Sequence, residues 1–147
     1  MTFVDSCVLI DIFNDDAHWK SWSLDQVSLA LPRGLCINAV VYAEVSGSFA
    51  TQHDVATAIT QGRLEVKDIP LEAAYLAAHA FKRYRLSKGQ FKTALPDFFI
   101  GAHAQVLSCP LLTRDPQRFA TYFPAVQLIT PTAAGLPWKR TNDATAT

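Results

Sequence analysis

Thr2-Phe3-Val4-Asp5-Ser6-Cys7-Val8-Leu9-Ile10 is the stretch whose reading decides the rest of the chain. Its first residues have the β-branched and aromatic character of a strand. From Val8 onward the apolar positions Leu9, Ile10, Ile12 and Phe13 continue at helical spacing. The chain therefore turns from strand to helix at Asp5-Ser6, which leaves the Asp5 carboxylate at a strand's carboxyl end.

The same grammar repeats outward from there. Asn14-Asp15-Asp16 ends the first helix and can cap the next, which carries Trp19, Trp22, Leu24, Val27 and Leu31 until Pro32-Arg33-Gly34 breaks it. Leu35-Cys36-Ile37 reads as a second buried strand, and Asn38 as the cap of a helix from Ala39 to Phe49. On that helix Val41, Val45 and Phe49 form one stripe, with Glu44 at or near its apolar face. A carboxylate there needs a partner, a proton or a cation, or else a solvated edge. Asp54 is expected to cap a further helix that Gly62 stops, and Leu64 to Ile69 to alternate as a third strand. After Pro70, Leu71 to Leu86 reads as a helix with Leu71, Ala74, Tyr75, Ala78 and Phe81 on one side.

That helix ends in a basic run, Lys82, Arg83 and Arg85, followed by Lys88 and Lys92, with no acid between His79 and Pro96. Part of the run complements a helix C-terminus, and part is a candidate phosphate-facing patch. Leu95-Pro96-Asp97-Phe98-Phe99-Ile100-Gly101-Ala102-His103-Ala104 comes next. It sets one carboxylate behind a proline at the mouth of an apolar run, the pattern of a buried helix with Pro96 in its first turn. Asp97 then lies at the positive helix end, where an anion is favoured. Leu111-Leu112-Thr113 forms a fourth strand, Asp115-Pro116 has the cap-then-proline signature of a helix start, and Val126 to Ile129 is the last strand. From Pro131 the composition shifts to Pro, Thr, Ala and Gly, so residues 1–130 are expected to form one domain and 131–147 a tail, mobile at its end.

The bulk numbers agree with one cored domain. The chain has 147 residues, of which 50% are hydrophobic and 18% charged, which suffices for a core and excludes disorder. Thirteen basic residues balance thirteen acidic ones, so a polyanion site must come from local segregation of charge. Cys7, Cys36 and Cys109 stand singly, without paired spacing, and read as reduced thiols. No apolar run is long enough to span a bilayer and the N-terminus lacks a basic signal start, so a cytoplasmic location is expected and no membrane contact.

Strands alternating with helices argue for an α/β fold, a mainly parallel central sheet of four to five strands flanked by helices. In such sheets the ligand crevice lies beyond the strands' carboxyl ends. Asp5, Glu44, Asp97 and Asp115 can all reach that end. Two carboxylates about 4 Å apart repel by roughly 4 kcal/mol at an effective dielectric near 20, so four acids together call for protons or hard cations. Oxygen-only ligation favours Mg²⁺, or Mn²⁺ as a substitute, over zinc. The chemistry implied is metal-assisted phosphodiester hydrolysis.

Asp5-Ser6-Cys7-Val8-Leu9-Ile10, Ala43-Glu44, Leu95-Pro96-Asp97-Phe98-Phe99-Ile100-Gly101-Ala102 and Leu112-Thr113-Arg114-Asp115 resemble, in order, the four motifs of the PIN-domain ribonucleases. More narrowly, the chain is similar to the VapC toxins of type II toxin–antitoxin systems. The resemblance implies a three-layer PIN-like fold and an Mg²⁺-dependent endoribonuclease acting on RNA, homodimeric and silenced by a cognate antitoxin. It puts the catalytic and metal-binding acids at Asp5, Glu44, Asp97 and Asp115. Asp5 and Asp97 would be direct ligands, while Glu44 and Asp115 complete the ring or act through water. Ser6 and Thr113 would support the neighbouring acids, and Cys7 replaces the family's commoner Asn. Asp11 is a candidate supporting residue, with a cap or surface role as the plainer reading. RNA-binding candidates are Lys82, Arg83, Arg85, Lys88, Lys92 and Arg114. His103 reads as a satisfied core or groove histidine rather than a base. The Trp19 and Trp22 helix reads as core or as a partner surface. Two competing readings are a DNA-directed structure-specific nuclease, which would need a substrate-threading insertion, and a non-catalytic module holding a basic partner.

Overall fold

A computed structural model describes residues 1–87 and 95–131 of the protein. The basic candidates Lys88 and Lys92 and the expected mobile end of the chain lie outside the described residues. The elements follow as β1 (Thr2–Val4), α1 (Ser6–Phe13), α2 (Lys20–Ala30), β2 (Leu35–Asn38), α3 (Ala39–Ser46) and α4 (Gln52–Gln61). Then come β3 (Leu64–Lys67), α5 (Leu71–Leu86), α6 (Leu95–Leu107), β4 (Leu111–Leu112), α7 (Gln117–Tyr122) and β5 (Leu128–Ile129). None of the described helices is long and apolar enough to cross a membrane.

The strands form a single sheet in the order β3-β2-β1-β4-β5, and every neighbouring pair is parallel. Phe3 lies opposite Cys36 on one side and Leu111 on the other, so β1 is the central strand. Central parallel strands are covered on both faces, and their sequences run apolar instead of alternating. Phe3, Val4, Leu35, Cys36, Ile37, Leu111 and Leu112 are accordingly buried. The strand order turns back at β1, with β2 and β3 laid to one side and β4 and β5 to the other. The crevice outside the carboxyl ends of β1 and β4 is therefore the topological switch point, where open α/β sheets bind their ligands.

Several local expectations need correction. The helix after β2 ends at Ser46 and does not reach Phe49. Thr51, not Asp54, caps α4: its hydroxyl accepts the Asp54 N–H at 3.1 Å. At the far end of that helix Gly62 keeps a right-handed backbone and Arg63 takes the left-handed turn at φ 55°. Strand β3 stops at Lys67 and does not alternate, because it is a sheet edge with Glu65 and Val66 both exposed. On α5 the buried stripe is Ala73, Ala77, Ala80 and Tyr84, while Leu71 and Tyr75 face outward. Small side chains at the seam let α5 approach α6 closely, and that gain outweighs burial of the larger residues on the other face. Strand β5 is confined to Leu128–Ile129.

The motif helix α6 is buried from Phe98 through Ala104, apart from half-buried Phe99. Gly101 is required by packing: a Cβ there would lie 2.3 Å from Cδ2 of Phe123, whose ring meets that of Phe98 at 6.0 Å. Cys36 and Cys109, expected to be isolated, are brought together by the sheet near enough to perturb each other, and both are free thiols.

Candidate functional site

The site starts where β1 hands over to α1. Asp5 is extended, at φ −71° and ψ 150°, and caps α1 by accepting the Ser6 N–H at 2.8 Å. Its N–H is spent on the Leu112 carbonyl of β4, which locks the residue to the sheet. The second carboxylate oxygen, Oδ2, accepts the Thr113 hydroxyl at 2.8 Å and the Cys7 thiol at 3.4 Å. Thr113 lies one residue past β4, so this contact stitches the two strands that flank the switch point.

Asp5 is only 4% exposed, and among the described residues no cation pairs with it. Its pKa is pushed up to about 7, first by burial and then by the negative field of Asp97, with Glu44 adding to it; the Thr113 and Cys7 bonds pull the other way. Glu44 stands on the exposed shoulder of α3 and turns its carboxylate inward, where Oε1 accepts the Ser6 hydroxyl at 3.0 Å. That hydroxyl also lies 3.5 Å from Asp5 Oδ1, so Ser6 links the two acids. Burial of the carboxyl and the field of Asp97 raise the pKa of Glu44 while Ser6 lowers it.

Asp97, in the first turn of α6, completes a group of three acids that feel one another's charge. Its own pKa is raised by burial and by Asp115, against the pull of Arg118, whose Nη1 donates to Asp97 Oδ2. Asp115 is looser. Its side chain is 66% exposed, and its backbone N–H donates to the Thr113 hydroxyl at 3.0 Å. It does not cap α7, whose first residue is Gln117. Thr113 serves instead, as the hub between Asp5 and the Asp115 turn.

An all-carboxylate donor set with raised proton affinities suits a hard divalent cation. Among the described residues, however, no group of three His, Cys, Asp or Glu side chains stands close enough to hold one. Asp5 and Glu44 are bridged on one side of the crevice, and Asp97 is engaged with Arg118 on the other.

Two expected residues belong elsewhere. Asp11 is only 2% exposed and points behind α1, where Arg114 donates to it through Nε at 2.7 Å and Nη2 at 3.0 Å and Ser23 adds a hydroxyl at 3.0 Å. The Arg114 guanidinium also lies 5.4 Å over the Trp19 ring. Arg114 thus clamps the β4 turn to α1 and α2, with its Nη1 4.0 Å from Asp115 Oδ2, and Asp11 is a buried ion-pair partner, neither a cap nor a surface residue. His103 is fully buried beside Phe3, with ring centroids 5.3 Å apart. Asn38 spends its carbonyl oxygen on the Val40 and Val41 N–H groups, so its amide nitrogen must donate to His103 Nδ1 at 3.1 Å. Burial and the charge of Lys67 lower the pKa of the imidazole, and among the described residues its Nε2 has no partner. It is satisfied on one side only and lies in the core. Lys82, Arg83 and Arg85 lie on the exposed end of α5, where Arg83 reaches the Tyr122 carbonyl at 3.4 Å.

Sequence reasoning missed Arg118. Its only local signal was a helical turn's distance from Arg114, and the meeting with Asp97 depends on how α7 lies against α6.

Comparison with solved structures returns the same architecture. VapBC2 from Rickettsia felis bound to a promoter DNA fragment is similar at a TM-score of 0.67 and 14% identity, over 88% of this chain and 97% of that one. VapBC-1 from nontypeable Haemophilus influenzae follows at 0.66 and 19%, over 88% and 96%, and a toxin–antitoxin complex from Klebsiella pneumoniae at 0.62 and 24%, over 90% and 98%. No curated protein matches the chain in sequence. The PIN domain family model matches residues 2–122, a span that begins with β1 and closes with α7 and so takes in every acid described above. With that span matched and the acids gathered at the switch point of a parallel sheet, the chain belongs to the PIN-domain family.

Proposed function

We propose that this protein is a metal-dependent endoribonuclease of the VapC type, the toxin of a toxin–antitoxin pair, acting in the cytoplasm. The observation that carries the reading is the acid group at the carboxyl ends of β1 and β4 inside a PIN domain, where Ser6 bridges Asp5 and Glu44 and the charge of Asp97 bears on both. Supporting it, the similar Klebsiella pneumoniae structure is described as a toxin–antitoxin complex, and the Rickettsia felis and Haemophilus influenzae structures as VapBC2 and VapBC-1.

Asp5 and Asp97 would hold Mg²⁺ or Mn²⁺ directly, with Glu44 and Asp115 completing the ring or acting through water. When bound, such an ion clamps a phosphodiester and lowers the pKa of an attacking water. Ser6 and Thr113 hold Asp5 in one rotamer, so the first ligand meets its ion without reorganising. The exposed Lys82, Arg83 and Arg85 at the end of α5 would receive the RNA backbone, which is recognised chiefly through its phosphates. A homodimer and a cognate antitoxin that places a basic side chain near the acids complete the proposal.

The test is cleavage of a structured RNA by the purified protein with and without Mg²⁺ or Mn²⁺, beside an Asp97→Asn variant and a labelled DNA of matched sequence. Metal-dependent loss of RNA with the variant at least a hundredfold slower is expected, on the order found when one charge-stabilising group is removed from an active site. Equal cleavage by Asp97→Asn sinks the assignment, and preferential cleavage of DNA moves it to the DNA-directed alternative. No cleavage together with no divalent-ion binding leaves the non-catalytic module.

A further inference from the structure

Arg118 stands in the acid site without a part in the reading above. Its Nη1 donates to Asp97 Oδ2, and its guanidinium carbon lies 5.3 Å over the ring of Tyr84. Tyr84 is itself fixed: it is 8% exposed and its ring meets Phe98 at 5.5 Å and Tyr122 at 5.8 Å. The arginine therefore has a rigid aromatic seat whether or not Asp97 answers it. The ion pair is short, at 2.5 Å, but half-open. Both partners remain about a third exposed, 30% for Arg118 and 32% for Asp97, and one guanidinium nitrogen makes the bond. Arg114, four residues earlier in the turn after β4, shows what a permanent pair looks like, with two bonds to an Asp11 that is 2% exposed.

A divalent ion on Asp97 would bring a second positive charge against the guanidinium, so the two cations oppose each other at one carboxylate. We propose that Arg118 is the resident counter-cation of Asp97, held ready on Tyr84, and that a divalent ion binds the site by displacing it. Arg118 is then a positioning residue that sets how much free metal is needed to load the site. This rests on the reading of Asp97 as a metal ligand.

The experiment is a titration of the full chain with Mn²⁺, following free Mn²⁺ by electron paramagnetic resonance, in wild type and in Arg118→Ala, Arg118→Gln and Asp97→Asn, with folding checked by near-ultraviolet circular dichroism. If only the fraction of Asp97 free of arginine is competent, removing the competitor lowers the apparent Kd by about three- to tenfold, as for any partly exposed pair that must open first. The second readout is the Arg118 Nε–H resonance in wild type, expected to move on saturation with Mg²⁺ and to stay unmoved when the titration is repeated in Asp97→Asn. An unchanged or weaker Mn²⁺ affinity in both Arg118 variants overturns the proposal and makes Arg118 a prop that holds Asp97 in place. Wild type that binds Mn²⁺ no better than Asp97→Asn overturns the metal-site reading beneath it, a different result from failure of the arginine variants alone.

Discussion

Two aspartate–arginine pairs, whose arginines stand four residues apart in the chain, behave as different devices. Asp11 and Arg114 meet where Asp11 is sealed from solvent, with two guanidinium bonds, a serine hydroxyl and an aromatic ring completing the shell. Asp97 and Arg118 meet at a half-open rim through a single bond. In a low-dielectric setting, losing one member strands a charge, whereas at the rim water takes the place of the lost partner. The same two residue types thus yield a structural rivet behind α1 and an exchangeable contact in front of it. Asp5 has no cation beside it among the described residues, and burial pushes its pKa up to about 7.

The largest effect that would test this contrast is Arg114→Ala. It leaves the buried Asp11 carboxylate unpaired and should cost about 3–5 kcal/mol in urea unfolding. A loss below about 1 kcal/mol would mean the pair is no rivet.

Next comes the acid held by neutral donors, the Ser6 N–H, the Thr113 hydroxyl and the Cys7 thiol. Unfolded, Asp5 releases its proton near 3.8, and folded it holds the proton to about 7. Between those values the unfolded chain binds fewer protons, so the contribution of Asp5 to stability is complete below about pH 4 and drains away as pH rises towards 7. A displacement of this size amounts to at most about 4 kcal/mol. Thermal unfolding of the metal-free protein across this window, with Asp5→Asn beside it, should show the extra fall in wild type only. Parallel curves would refute the buried-acid account.

Thr113→Val should cost about 1–2 kcal/mol, since one hydroxyl serves both Asp5 and the Asp115 N–H. Because the lost bond favours the ionised form of Asp5, its pKa rises further and the acidic limb of the pH–rate profile moves to higher pH. An unmoved limb would detach Thr113 from the chemistry. The smallest change is expected for Arg118→Ala, below about 1 kcal/mol in stability. If it matched Arg114→Ala, the two pairs would be one kind of device after all.

Much of the architecture was legible because it follows from local patterns. The alternation of strands with helices announced a mainly parallel sheet, Leu35-Cys36-Ile37 announced β2 as a buried strand, and Asn38 announced α3 through a cap that it does form. Asp5 was placed at a strand end by the change from strand to helix at Ser6. The inner face of α5 was not legible. A reading by side-chain size favours Leu71 and Tyr75, whereas the closer fit of Ala73, Ala77 and Ala80 against α6 wins, and only the partner helix makes that comparison possible. Asp115 misled in the other direction. Asp-Pro is a sound helix-start signal, yet Thr113, two residues earlier, had already organised the turn.

What the amino-acid order determined by itself was which residues stand at element ends: an acid after β1, an acid in the first turn of α6 and a threonine just past β4. These are short-range matters, settled by capping, periodicity and the proline in the first turn of α6. Which acids share a field, which arginine answers which aspartate, and which pair is dry were decided only by the tertiary structure. Strand order and helix packing set the distances and the local dielectric, and both depend on residues remote in sequence that bury the same few atoms.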